Sequence, residues 1–247
     1  LSGLTPFATL TDPPEYRWSR RKPLDLKLLF DEFAASMVRA RELDTGERLS
    51  DWTSAVKSRL VRLGARRKYQ PFATDDRRKS GAYLWDVAWC VEDKVKRGQP
   101  PTGGGIPGLQ FPHAPYRRLV LTAEVEWGRQ GQRSGTQVFR QNLEEVFRDF
   151  YKLMDARSQT KVMVYTTWLF NDQGGLDGLF LKGFRQILLD YESHLPQDSY
   201  LFIEFDDRTR MLNGYSTEVP RRGPRPFRLK HLGSVPYPRR WDPRSVS

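Results

Sequence analysis

Apolar positions along the chain fall into two rhythms. In LDLKLLFDEFAASMVRARE, Leu26, Leu29, Phe30, Phe33 and Met37 recur every three to four residues. That spacing lines one face of a helix, predicted over 24–42. Ser50 reads as the N-cap of a second helix over 51–63, with Trp52, Val56, Leu60 and Leu63 in one stripe. The aromatic, β-branched stretch GAYLWDVAWCVE then predicts a strand over 81–92. A Pro/Gly-rich loop, 97–116, separates it from RLVLTAEVEWG. There, Leu119, Leu121, Ala123, Val125 and Trp127 alternate with Val120, Thr122, Glu124 and Glu126, the period-two pattern of a strand over 118–127. A helix follows over 138–157, striped by Leu143, Val146, Phe147, Phe150 and Met154. Residues 161–170 are apolar on both faces, as a central strand is. A helix over 176–192 and a strand over 199–205 complete the series, and RMLNGYS (210–216) continues as a hairpin turning through Asn213-Gly214.

This order predicts an α/β fold: a mixed central sheet flanked by helices, in one domain over 1–219. Residues 1–23, rich in proline and charge, read as an irregular arm, and 220–247 as a basic Pro/Arg-rich tail. Composition supports a folded domain: 247 residues are 38% hydrophobic, with 7 Trp, 14 Phe and 10 Tyr. A single cysteine, Cys90, excludes an internal disulfide, and three scattered histidines exclude a zinc-type cluster. The sequence has no apolar run near the length of a membrane span and no signal-peptide pattern, so the expectation is a soluble, cytoplasmic protein with no membrane partner. Net charge is +11, and residues 220–247 carry eight Lys or Arg against one acid, Asp242. Further clusters at 17–22, 64–69 and 77–79 favour a polyanionic partner.

Two glutamates on one strand face, about 6–7 Å apart, repel each other and need water, a basic partner or a cation. Asp86 raises the same question, because its strand face otherwise carries Leu84, Ala88 and Cys90. If strands 81–92 and 118–127 pair as a hairpin, Asp86 comes beside Glu124 and Glu126. A hard cation such as Mg²⁺ or Mn²⁺ would relieve such a trio through oxygen ligands. Other chemistries lack their residues. There is no G-x-S-x-G elbow or Walker loop. Cys90 reads as a small core residue.

The series D-V-A-W, A-E-V-E-W-G, D-F-Y-K-L-M-D-A-R and K-V-M-V-Y, spread over 81–168, resembles the PD-(D/E)XK nuclease superfamily. That resemblance implies a restriction-endonuclease-like core (helix, three strands, helix, strand) over about 51–168, with an αβ C-terminal extension. It further implies a metal-dependent endonuclease acting on phosphodiester bonds, with nucleic acid, DNA above all, as partner, and it admits a homodimer. Asp86 and Glu124 match the two metal-binding acids. Glu126 stands where the superfamily usually has lysine and would hold metal or orient water. Trp85 replaces the proline. Lys152 is the candidate to replace the missing lysine, although it falls about 180° from Leu143 on the helix, which favours a solvated side chain. The alternative is a nuclease-fold module without catalysis that binds nucleic acid or a protein partner.

Overall fold

In a computed structural model, residues 23–38, 49–74, 85–92, 117–127, 136–167, 178–191, 194, 198–206, 208–219 and 227–237 are described. Strands β1 (Gln70–Ala73), β2 (Val87–Glu92), β3 (Arg117–Glu126), β4 (Thr160–Thr166), β5 (Ser199–Asp206), β6 (Met211–Glu218) and β7 (Lys230–Pro236) form one seven-stranded sheet in chain order. The centre, β3-β4-β5, is parallel, and both wings are antiparallel. Helices α1 (Leu26–Val38) and α2 (Leu49–Arg66) precede the sheet, while α3 (Thr136–Asp155) and α4 (Leu179–Asp190) are the crossovers that parallel pairing requires. The fold is therefore mixed α/β, as the hydrophobic rhythm predicts.

Strand alternation divides the core in two. Leu121, Ala123, Val125, Val162, Val164, Leu201 and Ile203 pack with the stripes of α1 and α2. Met163, Tyr165, Tyr200 and Phe202 pack with Phe150, Leu153, Phe180 and Phe184 of α3 and α4. Every residue of β4 and β5 is buried, because helices cover both faces there.

The structure corrects several boundaries. Helix α1 starts after Asp25, whose Oδ1 accepts the Leu28 N–H at 3.0 Å. Helix α2 starts at Leu49, so Ser50 lies inside its first turn. Strand β2 begins at Val87, with Trp85 and Asp86 in the bend before it. Strand β1 was not expected from the sequence. It is short, and its Pro71 is tolerated because the strand is at an edge. Asn213-Gly214 is not a turn but mid-strand in β6. A Cβ on Gly214 would lie 2.5 Å from Cδ2 of Phe30, so glycine is needed for α1 to approach the sheet. The β5-β6 turn lies at 208–210. Asp206 Oδ1 there accepts the Arg208 and Thr209 N–H groups at 3.0 and 3.3 Å, and Arg210 takes a left-handed φ of 58°. Strand β7 lies within the segment read as a tail, with Leu232 and Tyr237 buried beside α1 and α2. The arm 1–22, residues 39–42 of the helix expected over 24–42, residues 81–84 of the strand expected over 81–92, the loop 97–116, residues 168–170 of the strand expected over 161–170, and 220–226 and 238–247 of the expected tail lie outside the described residues.

Candidate active site

The β2-β3 hairpin expected from the sequence forms, with Val87 opposite Ala123. One step beyond that pair, Asp86 and Glu124 meet. Asp86 is not the mid-strand acid that its apolar neighbours suggested. It sits where β2 begins, and its Oδ2 accepts the Val125 N–H at 2.9 Å. Its Oδ1 pairs with Lys57 Nζ at 2.7 Å and accepts the Thr74 hydroxyl at 3.3 Å. The carboxylate thus ties β1, β2, β3 and α2 together.

Glu124 is in the opposite situation. It is 3% exposed, and no hydrogen-bond partner reaches its Oε1. Burial pushes its carboxyl up from 4.5 to about 9. The Asp86 carboxylate adds to the rise, Lys152 opposes it, and Asp149 and Lys57 act more weakly in each direction. Buried polar atoms in folded proteins are nearly always satisfied, so an orphan carboxyl oxygen is open to a proton, a water or a cation.

Helix α3 supplies the other half of the cluster. Lys152 Nζ pairs with Asp149 Oδ1 at 2.5 Å, and the Trp85 indole N–H donates to the Lys152 carbonyl at 3.2 Å. Burial alone would lower the Lys152 ammonium. The hydrogen bond to Asp149 and the carboxylates of Glu124, Asp149 and Asp86 more than reverse this and hold it above its usual range. Lys152 keeps much of the exposure its helical angle suggested, pairing with Asp149 one turn back on the same helix, while its charge also acts on Glu124 and Asp86.

Lys57 is the residue sequence reasoning missed. It follows Val56 on α2 and flanks the apolar stripe, where a lysine ordinarily stretches out to water. Here its side chain is 7% exposed and ends on Asp86. Its only sequence signal is that position at the stripe's margin.

Glu126 shares the face of Glu124 but lies one pleat further along, opposite Tyr165 and partly exposed. Among the described residues, no three His, Cys, Asp or Glu side chains are grouped to hold a metal ion. The trio Asp86, Glu124 and Glu126 is thus not assembled as one ligand set. Asp86 and Glu124 are the pair brought together. Two carboxylates still fit Mg²⁺ or Mn²⁺, since a magnesium ion uses one or two and keeps several waters. The unsatisfied Glu124 oxygen is the atom that such an ion would complete.

The other buried charges among the described residues are already satisfied, which sets Glu124 apart. Glu204 accepts from Tyr165, Asn213 and Tyr215 at 3.3, 2.9 and 3.2 Å. Lys161 pairs with Asp198 at 2.9 Å and donates to the Ser158 carbonyl. Cys90 is buried in the sheet, as its small size predicts. Among the described residues, no helix is long and apolar enough to cross a membrane. Comparison with protein-family models, curated proteins and solved structures found no match.

Proposed function

We propose that this chain is a Mg²⁺- or Mn²⁺-dependent nuclease that hydrolyses phosphodiester bonds, with DNA as its substrate. The observation that carries the reading is the buried, unsatisfied Glu124 oxygen facing Asp86, with Lys57 and Lys152 on either side. The order α2-β1-β2-β3-α3-β4 also supports it, since this is the helix, three strands, helix, strand series of the restriction-endonuclease-like core.

Asp86 and Glu124 would hold the cation. When bound, it lowers the pKa of a coordinated water and stabilises charge on a phosphoryl oxygen. Lys57 pairs with one oxygen of Asp86 and fixes its orientation, while the Val125 N–H holds the other. Lys152 places positive charge beside the carboxylates, where the β3 position taken by Glu126 offers none. Asp149 in turn positions Lys152.

Calorimetric titration of Mg²⁺ and Mn²⁺ into the wild type and an Asp86→Asn/Glu124→Gln variant tests the reading. Binding that the variant loses, with cleavage of plasmid or oligonucleotide DNA lost in parallel, supports it. A wild type that binds neither ion, with or without DNA, sinks it. A second reading, a nuclease-fold module that binds without cleaving, draws on Glu126 in place of lysine. It predicts that Glu124→Ala leaves DNA binding unchanged or stronger and that no cleavage is detected in the wild type.

A further inference from the structure

On the flank of α2 away from Lys57 lies a groove shared with α1, with a volume of about 690 Å³. Arg59, Arg62 and Arg66 line it from α2. Their spacing of three and four residues places them on one side of the helix, about 140–200° around from Lys57, along about 10 Å of its axis. The facing wall of α1 is built from Ala35 and Ser36, too small to fill the space. Ser36 is satisfied locally by donating to the Phe33 carbonyl at 2.7 Å. Glu32 is the single acid in the lining. Its Oε2 already accepts from Nη2 and Nε of Arg67 at 3.1 and 3.2 Å. Three guanidinium groups thus line the groove, Arg62 and Arg66 exposed, beside one carboxylate that a fourth guanidinium already engages.

We propose that this groove is a binding track for a phosphodiester backbone. Guanidinium groups present planar, forked donors that match phosphate oxygens two at a time. A strand carries one phosphate per about 3.4 Å of duplex axis, so the length of the arginine row matches two to three consecutive phosphates. Small side chains opposite leave room for the strand. The proposal rests on the nuclease reading only for its choice of nucleic acid as the polyanion. The track lies across the body of α2 from the carboxylates, so it would anchor nucleic acid without taking part in cleavage.

The test is fluorescence anisotropy of labelled single- and double-stranded oligonucleotides in EDTA over a KCl series, with no turnover. Arg62→Ala/Arg66→Ala should weaken binding at low salt and reduce the slope of log affinity against log salt by about 0.9 on duplex, or about 0.7 on single strands, for each phosphate no longer neutralised. Arg62→Lys/Arg66→Lys should retain most of the slope, because lysine keeps the charge. Both arginines are exposed and alanine favours helix, so melting temperatures should match the wild type and separate a binding defect from a folding defect. Wild-type affinity and slope in the double alanine variant would overturn the proposal. So would equal competition by poly-glutamate and DNA in the wild type, which would mark a generic acidic partner. A variant with an unchanged slope that still cleaves DNA removes the track alone. A wild type that binds through these arginines but never cleaves removes the nuclease reading alone.

Discussion

Glu124 makes a pH signature that needs no substrate. Its folded-state pKa, about 9, lies above the ordinary 4.5, so between these values the folded protein holds a proton that the unfolded chain has lost. Stability should therefore fall as pH rises from about 4.5 through about 9, and be greatest at the acid end of that window. Melting temperatures from about pH 5 to about pH 9 in EDTA should show this decline in the wild type and a flatter profile in Glu124→Gln, which remains neutral. An identical slope in both would place the titration elsewhere. Lys57→Met should cost about 2–4 kcal/mol in urea unfolding, because it leaves the half-buried Asp86 carboxylate without its ion pair. Combining it with Asp86→Asn should cost less than the sum of the two single changes, as coupled partners do. The pairing of Asp86 with Glu124 was legible in the sequence, since strand alternation and a hairpin are enough to produce it. Lys57 was not, because a lysine beside an apolar stripe reads as a solvated one until the element it meets is known. Lys152 differs: its helical angle agrees with its exposure, and only the charge it brings near Glu124 depends on how α3 packs on the sheet.

The elements that periodicity reveals are those with a continuous buried face. Helices α1 to α4 and strands β2 to β5 each have one, and each was found within a few residues of its limits, except that α1 and β4 end four residues earlier than expected and β2 starts six later. Strands β1 and β7 were missed because they are the sheet's edges and only partly buried, β1 being interrupted by Pro71. The β5-β6 turn was misplaced because Asn-Gly is a strong turn signal that tertiary packing overrode. Gly214 serves the Phe30 ring, and the side chain of Asp206 makes the turn instead. Gly214→Ala should accordingly destabilise the protein by about 1–3 kcal/mol, because the new methyl meets a rigid ring. Gly214→Ala combined with Phe30→Leu should recover part of that loss in a thermal melt. No recovery would mean that the strand needs glycine for its backbone alone.

For the molecule as a whole, the position of β7 changes what the C-terminal charge can be asked to do. Deleting 220–247 would remove a sheet strand and uncover Leu212, Phe30 and Trp52, which share a core with Leu232 and Tyr237. That deletion should aggregate or elute as an expanded species in size-exclusion chromatography. Truncation after Tyr237 should leave the elution volume and far-UV spectrum of the full chain, and only this shorter truncation reports on the charge of 238–247. A full-chain elution profile from the longer deletion would show β7 to be dispensable.

The bond from the Val125 amide to Asp86 gives the site an observer inside the backbone. That amide belongs to a peptide group, which donates to the carboxylate rather than competing for the cation. Anything that draws charge away from Asp86 must lengthen or polarise this bond. The ¹⁵N–¹H resonance of Val125 is thus a gauge of occupancy, readable in a protein that has never met its substrate. Its exchange with solvent deuterium reads the other direction: slow while Asp86 closes the hairpin end, fast once that acid is turned to another task.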